Sequence, residues 1–211
     1  DMLHEGEGGP VDMAEARVQY KKSAEQGHCD AQNNLADMLH EGEGGPVDMA
    51  EARVLVMKAA EQGHGTAQHR LAYMLHNGVG GPVDVAEARV QFGKSAEQGI
   101  RGAQYRLALM LYKGEGGPVN MAEARVQYKK AADQGYSLAQ NNLAKMLHIG
   151  EGGPVDMTDA RVQYKKAADQ GHMKAQHNLA CMLREGEGGP VDMTKARVQY
   201  KKSAEQGHDG A

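Results

Sequence analysis

A chain of 211 residues with a net charge of −4 and a sequence pI near 6.2 has no basic surplus with which to hold a nucleic acid. No apolar run approaches the roughly 18 residues of a membrane span, and no signal-peptide pattern is present, so membrane insertion is not expected. Aromatic residues make up only 4% of the chain, which makes the position of each one informative.

Proline then fixes the organisation. It stands at positions 10, 46, 82, 118, 154 and 190 and nowhere else, always 36 residues apart. Each copy lies in the phrase Gly-Xaa-Gly-Gly-Pro-Val-(Asp/Asn). A constant period of this length marks a solenoid, in which each repeat packs only on its neighbours. The chain 1–211 therefore reads as a single array: a partial repeat, 1–30, followed by full repeats 31–66, 67–102, 103–138, 139–174 and 175–210. Asp1 falls partway through a helix and Ala211 where a new repeat would begin. The chain thus reads as a piece of a longer array, or as a mature or trimmed product, without polar end caps, and its bare apolar faces imply end-to-end self-association.

Residues 31–66 show the repeat in order. Helix A begins at Ala31, with Ala31, Leu35, Met38 and Leu39 at the i, i+4, i+7, i+8 spacing of one apolar face. Gly42 stops it, and Gly42-Glu43-Gly44-Gly45-Pro46 is turn chemistry. Asp48 stands as N-cap with Glu51 three residues on, a capping-box arrangement. Helix B then runs to about Gln62 and ends at Gly63. Its buried stripe is clearest in the first copy, as Met13, Ala16, Tyr20, Ser23 and Ala24. No segment alternates with period two, so strands are not expected.

These residues carry a family resemblance. Ala31-Gln32-Xaa-Xaa-Leu35, the Gly42-Xaa-Gly44 loop, Asp48, Ala52 and the Lys58-Ala59-Ala60-Xaa-Gln62-Gly63 tail recur in every full repeat with minor swaps. The repeat resembles the Sel-one-like repeat, a relative of the tetratricopeptide repeat with a longer loop between its helices: Leu35 to Ala52 spans 17 residues. The resemblance implies an all-α fold, a right-handed α/α superhelical solenoid of 36-residue helix-turn-helix repeats. It also implies a protein-interaction scaffold or adaptor. Ala36 departs from the family's usual glycine, and Gln19 stands where the family often has tryptophan.

Comparing the copies locates a candidate surface. On helix B the Arg17, Lys22 and Gln26 columns are constant in all six copies. On helix A, columns 33, 37, 40 and 41 vary, and they lie opposite the apolar stripe. Two accounts compete, drift on a solvent face and diversification for a partner on helix A, the concave side in related solenoids; the constancy of helix B favours the second. Five of the nine Tyr and Phe residues fill the core column: Tyr20, Phe92, Tyr128, Tyr164 and Tyr200. Tyr73, Tyr105 and Tyr112 fall instead on the helix A face, near His69, Arg70, His76, Arg106, Leu109 and Lys113. Tyrosine and arginine are favoured interface anchors. These nine residues are the expected binding patch for a peptide or protein segment of acidic character.

Other chemistry is not supported. His28, His64, His172 and His208 share one column, but repeats stack ~10 Å apart while zinc needs ligands within ~2.1 Å. They read as polar caps and surface side chains, and no metal or other cofactor is expected. Ser23, Ser95 and Ser203 alternate with alanine and read as packing residues. No triad, phosphate loop or isolated acid pair stands out, so no catalytic residue is assigned and the chain is not read as an enzyme. Cys29 and Cys181 lie about four repeats apart and cannot pair within one chain, which leans towards a reducing, cytoplasmic setting. Two rival readings are a structural spacer and an interaction domain of a larger enzyme or signalling protein. The Arg17 column reads as a repeated structural contact to water or to a neighbouring acid.

Overall fold

A computed structural model describes residues 12–207. Its helices are α1 (Met13–Glu25), α2 (Cys29–Glu41), α3 (Met49–Glu61), α4 (Gly65–Asn77), α5 (Val85–Glu97) and α6 (Arg101–Lys113). They continue as α7 (Met121–Asp133), α8 (Ser137–Ile149), α9 (Met157–Asp169), α10 (Met173–Glu185) and α11 (Met193–Glu205). The described residues contain no strand. Even-numbered helices are the A helices of the repeat and odd-numbered ones the B helices. Helix A begins two residues earlier than its apolar spacing predicts, at Cys29 rather than Ala31, because the cap residue is His28. The chain divides into two compact units, Asp1–Ala103 and Gln104–Ala211. The partial first helix A and the end faces expected from the sequence fall outside the described residues.

In both units the same packing recurs. Within a unit an A helix pairs with the B helix that follows it, as in α2 with α3 and α8 with α9, and stacks on the B helix before it, as in α3 with α4 and α9 with α10. This is the all-α solenoid class that the repeat implies. The buried stripe is rich in alanine, which lets helix axes approach closely. In the first unit it holds Leu35, Leu39, Val56, Leu71 and Phe92, and in the second Tyr128, Leu143, Met146, Tyr164 and Met182. Tyr20 and Tyr200, in the first and last described helices, are half-buried.

The loop between helices A and B is held at both ends. Gly42 is the left-handed C-cap of α2 at φ 77°. The Met38 carbonyl accepts from Glu43 and the Leu39 carbonyl from the Asp48 N–H, at 2.9 and 3.0 Å. Asp48 Oδ1 then caps α3 by accepting from the Glu51 N–H at 2.8 Å. The capping box is one-sided, since Leu39 already holds the Asp48 N–H to which Glu51 would have returned. In α5 and α7 the equivalent glutamates accept instead from a glutamine one turn on, Gln91 to Glu87 at 2.7 Å and Gln127 to Glu123 at 2.6 Å.

Two of the constant columns, Arg17 and Gln26, prove to be ties between elements. Arg17 donates to the carbonyls of Glu43 and Pro46 in the next repeat's loop, at 3.2 and 3.0 Å. Arg53 and Arg161 repeat this contact on their own loops. The partner is loop backbone, not the water or acid expected from the sequence. The Gln26 column, read as exposed, reaches a buried glutamine of helix A: Gln62 donates to Gln32 at 2.9 Å and Gln170 to Gln140 at 2.8 Å. The buried glutamine in turn donates to a helix B carbonyl, Gln32 to Ala24 and Gln140 to Ala132, both at 3.2 Å. Leaving a buried carbonyl unpaired costs about 1–3 kcal/mol, which keeps both columns glutamine. The serines do more than pack: Ser95 Oγ donates to the Gly65 carbonyl at 2.8 Å and Ser203 Oγ to that of Met173 at 3.2 Å.

Two histidines of the column, His64 and His172, cap through the side chain, whereas His28 makes no such bond. His64 Nδ1 accepts from the Ala67 N–H at 3.1 Å while its Nε2 lies 3.1 Å from Asp30 Oδ1. His172 Nδ1 accepts from Ala175 at 3.2 Å. An accepting Nδ1 must be unprotonated, so the cap needs the neutral ring. Burial, helped by Lys174, holds the His172 pKa below its ordinary 6.5. In unfolded chain this histidine gains its proton near 6.5 and in folded protein only below that. Its contribution to stability is therefore complete above about 6.5 and declines as pH falls from there through the folded value. The urea midpoint should drop over that window, and His172→Asn, which retains a cap, should flatten the slope. An unchanged slope in the variant would count against the cap.

Candidate partner-binding face

Each unit carries a groove on its helix A side. In the first unit a groove of about 300 Å³ is lined by Asp37, His40 and Glu41 of α2, Ala52 of α3, His69, Arg70, Tyr73 and Met74 of α4, and Val79. In the second, a groove of about 160 Å³ is lined by Leu109, Tyr112 and Lys113 of α6, Tyr128 of α7, and Asn142, Lys145 and Met146 of α8. Both open between consecutive A helices, with a helix B residue between them, Ala52 in the first and Tyr128 in the second.

The nine residues of the expected patch divide between the units. In the first, Tyr73 is 47% exposed, and the His69 ring packs on Phe92 with centroids 5.5 Å apart. Arg70 turns back onto α2. Its guanidinium pairs with Asp37 and donates to both the carbonyl and the Oδ1 of Asn33 at 3.1 Å, so its charge is compensated within the fold. His76 is half-buried and lies outside the groove lining.

In the second unit Tyr105 is half-buried, with its ring 5.9 Å from Tyr128 and 5.2 Å, edge-on, from Tyr136. Burial first, and then the neighbouring Tyr136, raise its phenol pKa, so it stays a neutral donor. Tyr112 donates to Glu151 Oε1 at 3.2 Å. Lys145 approaches the Tyr112 hydroxyl at 3.4 Å and lies 5.7 Å from the ring centroid. Lys113 sits 3.4 Å from Glu115, and Arg106 is exposed. Tyr105 and Arg106 do not line the groove.

The aromatic and variable-column signals therefore find six groove residues: His69, Arg70, Tyr73, Leu109, Tyr112 and Lys113. They miss Val79, because it lies in a loop, and Tyr128, because it belongs to the core column. Asp37, His40, Glu41 and Lys145 do lie in the variable columns and could have been found by ignoring aromaticity. The contrast between faces also weakens, since the constant Arg17 and Gln26 columns are held by hydrogen bonds. Of the three constant columns, Lys22 and its copies stand exposed.

Among the described residues no group of three or more His, Cys, Asp or Glu is placed to hold a metal. None of the described helices is long and apolar enough to cross a membrane. Cys29 and Cys181 are free thiols, and Cys181 Sγ lies 3.3 Å from the Tyr200 hydroxyl.

The repeat geometry has close counterparts among solved structures. A protective antigen of uropathogenic Escherichia coli strains, described as displaying an SLR fold, superposes with a TM-score of 0.94 at 39% identity. The match covers 98% of this chain and 44% of the antigen chain, so this chain spans under half that protein's length. A Sel1 repeat protein from Oxalobacter formigenes matches at TM-score 0.78 and 28% identity, over 93% of this chain and 83% of its own. No curated protein matches the chain. The Sel1 repeat pattern itself recurs six times, at residues 1–28, 29–64, 65–100, 102–136, 137–172 and 174–208. Proteins built of this repeat generally mediate protein–protein interaction and are generally non-enzymatic. With the pattern running through nearly its whole length, and the paired helices to match, the chain belongs to the Sel1 repeat family.

Proposed function

We propose that this chain is a non-enzymatic scaffold or adaptor that binds a peptide or protein segment on its helix A faces. One observation carries the reading. The grooves of both units open on the A helices, and their rims are the positions at which the copies differ: Asp37, Tyr73, Leu109 and Lys145 in one column, His40 and Tyr112 in another. Tyr73 and Tyr112 supply broad, rigid contact area with a polar tip. Lys145, which meets only the Tyr112 ring and hydroxyl, adds a cation that favours an acidic stretch in the partner. The repeated ties through Arg17, Gln26 and their copies hold the helices that present this face.

Peptides selected on the wild-type chain from a random displayed library provide the test. Tyr73→Ala and Tyr112→Ala should each weaken peptides seated at their own groove about tenfold or more, the scale of an interface anchor. Lys58→Ala and Lys130→Ala, on the outer face of helix B, should leave affinity within about twofold. Peptides indifferent to both tyrosines but sensitive to the lysines would move the binding face to helix B. A library that yields no binder would favour the structural spacer.

A further inference from the structure

The residue after the helix A cap glycine is glutamate in five of the six copies: Glu7, Glu43, Glu115, Glu151 and Glu187. Val79 is the exception. In the second unit this glutamate has a fixed place, against a donor two residues before the cap glycine of the preceding repeat. Tyr112 donates to Glu151 at 3.2 Å, and His148 Nε2 lies 3.2 Å from Glu187 Oε2. Each donor is thus covered by a carboxylate from the next loop.

His40 occupies the donor position that faces the one loop with valine in place of glutamate, Val79. The His40 side chain is 48% exposed where that of His148 is 31%. Its Nδ1 lies 3.5 Å from Glu41, but Nε2, the atom that meets a carboxylate in His148, meets none. The larger of the two grooves, about 300 Å³ against about 160 Å³, lies where the loop carboxylate is missing. Arg70 and Asp37 on its wall neutralise each other, and Tyr73, Met74 and Val79 supply apolar surface.

We infer that this groove takes its carboxylate from a partner: an aspartate or glutamate of a peptide segment, seated at His40 Nε2 where the repeat's own glutamate would stand. An adjoining apolar side chain packs on Tyr73, Met74 and Val79. This assignment rests on the helix A reading above and names the ligand chemistry for one groove. Complementarity drives it, since an imidazole N–H or imidazolium in a part-enclosed groove is better matched by a carboxylate than by an amide oxygen.

The test is an NMR titration of the full chain with the blocked peptides Ac-Ala-Glu-Leu-Ala-NH2 and Ac-Ala-Gln-Leu-Ala-NH2. The glutamate peptide should move the His40 and Tyr73 signals and bind at least fivefold more tightly than the glutamine peptide. Val79→Glu restores the residue found in every other copy, so the loop tolerates it, and its internal carboxylate should weaken the glutamate peptide at least tenfold. Equal affinity for the two peptides, or binding unchanged in V79E, overturns the assignment. So does a titration in which His40 and Tyr73 stay still. Movement confined to Leu109 and Tyr112 would overturn it too, while leaving the helix A reading standing.

Discussion

Replacing Gly152 by alanine should cost about 3 kcal/mol of stability, whereas Gly171→Ala should cost about 1 kcal/mol. Both glycines hold positive φ, +70° and +85°, and in each an added Cβ meets the strain of the left-handed region, about 1–2 kcal/mol. Their surroundings differ. A Cβ on Gly171 finds nothing within 4 Å. On Gly152 it would land on the Met121 carbonyl oxygen, with the carbonyl carbon at 2.6 Å and the Ala122 nitrogen at 3.1 Å. Those atoms belong to the first turn of α7 and cannot yield as a flexible side chain would. The loop of one repeat therefore rests backbone to backbone on helix B of the repeat before it. Gly153 next to it leaves room for Arg125, whose guanidinium would meet a Cβ there at 2.8 Å and which donates to the Pro154 carbonyl at 2.9 Å. Urea unfolding followed by circular dichroism gives the comparison. Equal losses at Gly152 and Gly171 would show that conformation alone, and not repeat-to-repeat contact, sets the glycine pattern.

The same loop shows what can be read from residues alone. The period, the stop at Gly42 and the cap at Asp48 were legible because each is a local rule acting within a few residues. The role of the second glycine was not, because the Met13 backbone that Gly44 approaches lies some thirty residues away in sequence and carries no local signal. Gln62 shows the same limit. A glutamine at the end of an exposed helix face looks indifferent until its partner, the buried Gln32, is found beneath it. Constancy among copies marks such positions as constrained without saying by what. At the candidate site, Tyr73 and Tyr112 were legible because a large aromatic on a polar face has no reason within the repeat to be there. The pairing of Arg70 is not legible for a related reason: its partner, Asp37, lies one repeat away on the neighbouring A helix. Val79 was missed because a single valine in a loop means little until His148 and Glu187 show what its counterparts do.

Tyr128→Ala should be the most damaging side-chain truncation, at about 3–5 kcal/mol. The ring is only 2% exposed and lies in the cluster with Leu143, Met146 and Leu147. Burial is also the main reason its phenol pKa is driven up, opposed by a hydrogen bond to Asn142. Tyr128→Phe keeps the packing and loses only that bond, for about 1 kcal/mol. Tyr200→Ala, at the half-buried equivalent in α11, should lose less than Tyr128→Ala, because the cavity left there opens to water. The three variants separate ring packing from the hydroxyl and from position along the repeats, with urea midpoints as the readout. Tyr128 also connects the core to the candidate face. Tyr105 leans on its ring at 5.9 Å, and the ring lines the groove beside Leu109 and Tyr112. A chain carrying Tyr128→Ala that still folds should therefore bind groove-directed peptides more weakly than Tyr128→Phe does, although Tyr128 is a core residue. If Tyr128→Ala cost no more than Tyr200→Ala and left peptide binding intact, stacked repeats would not be holding this face in place.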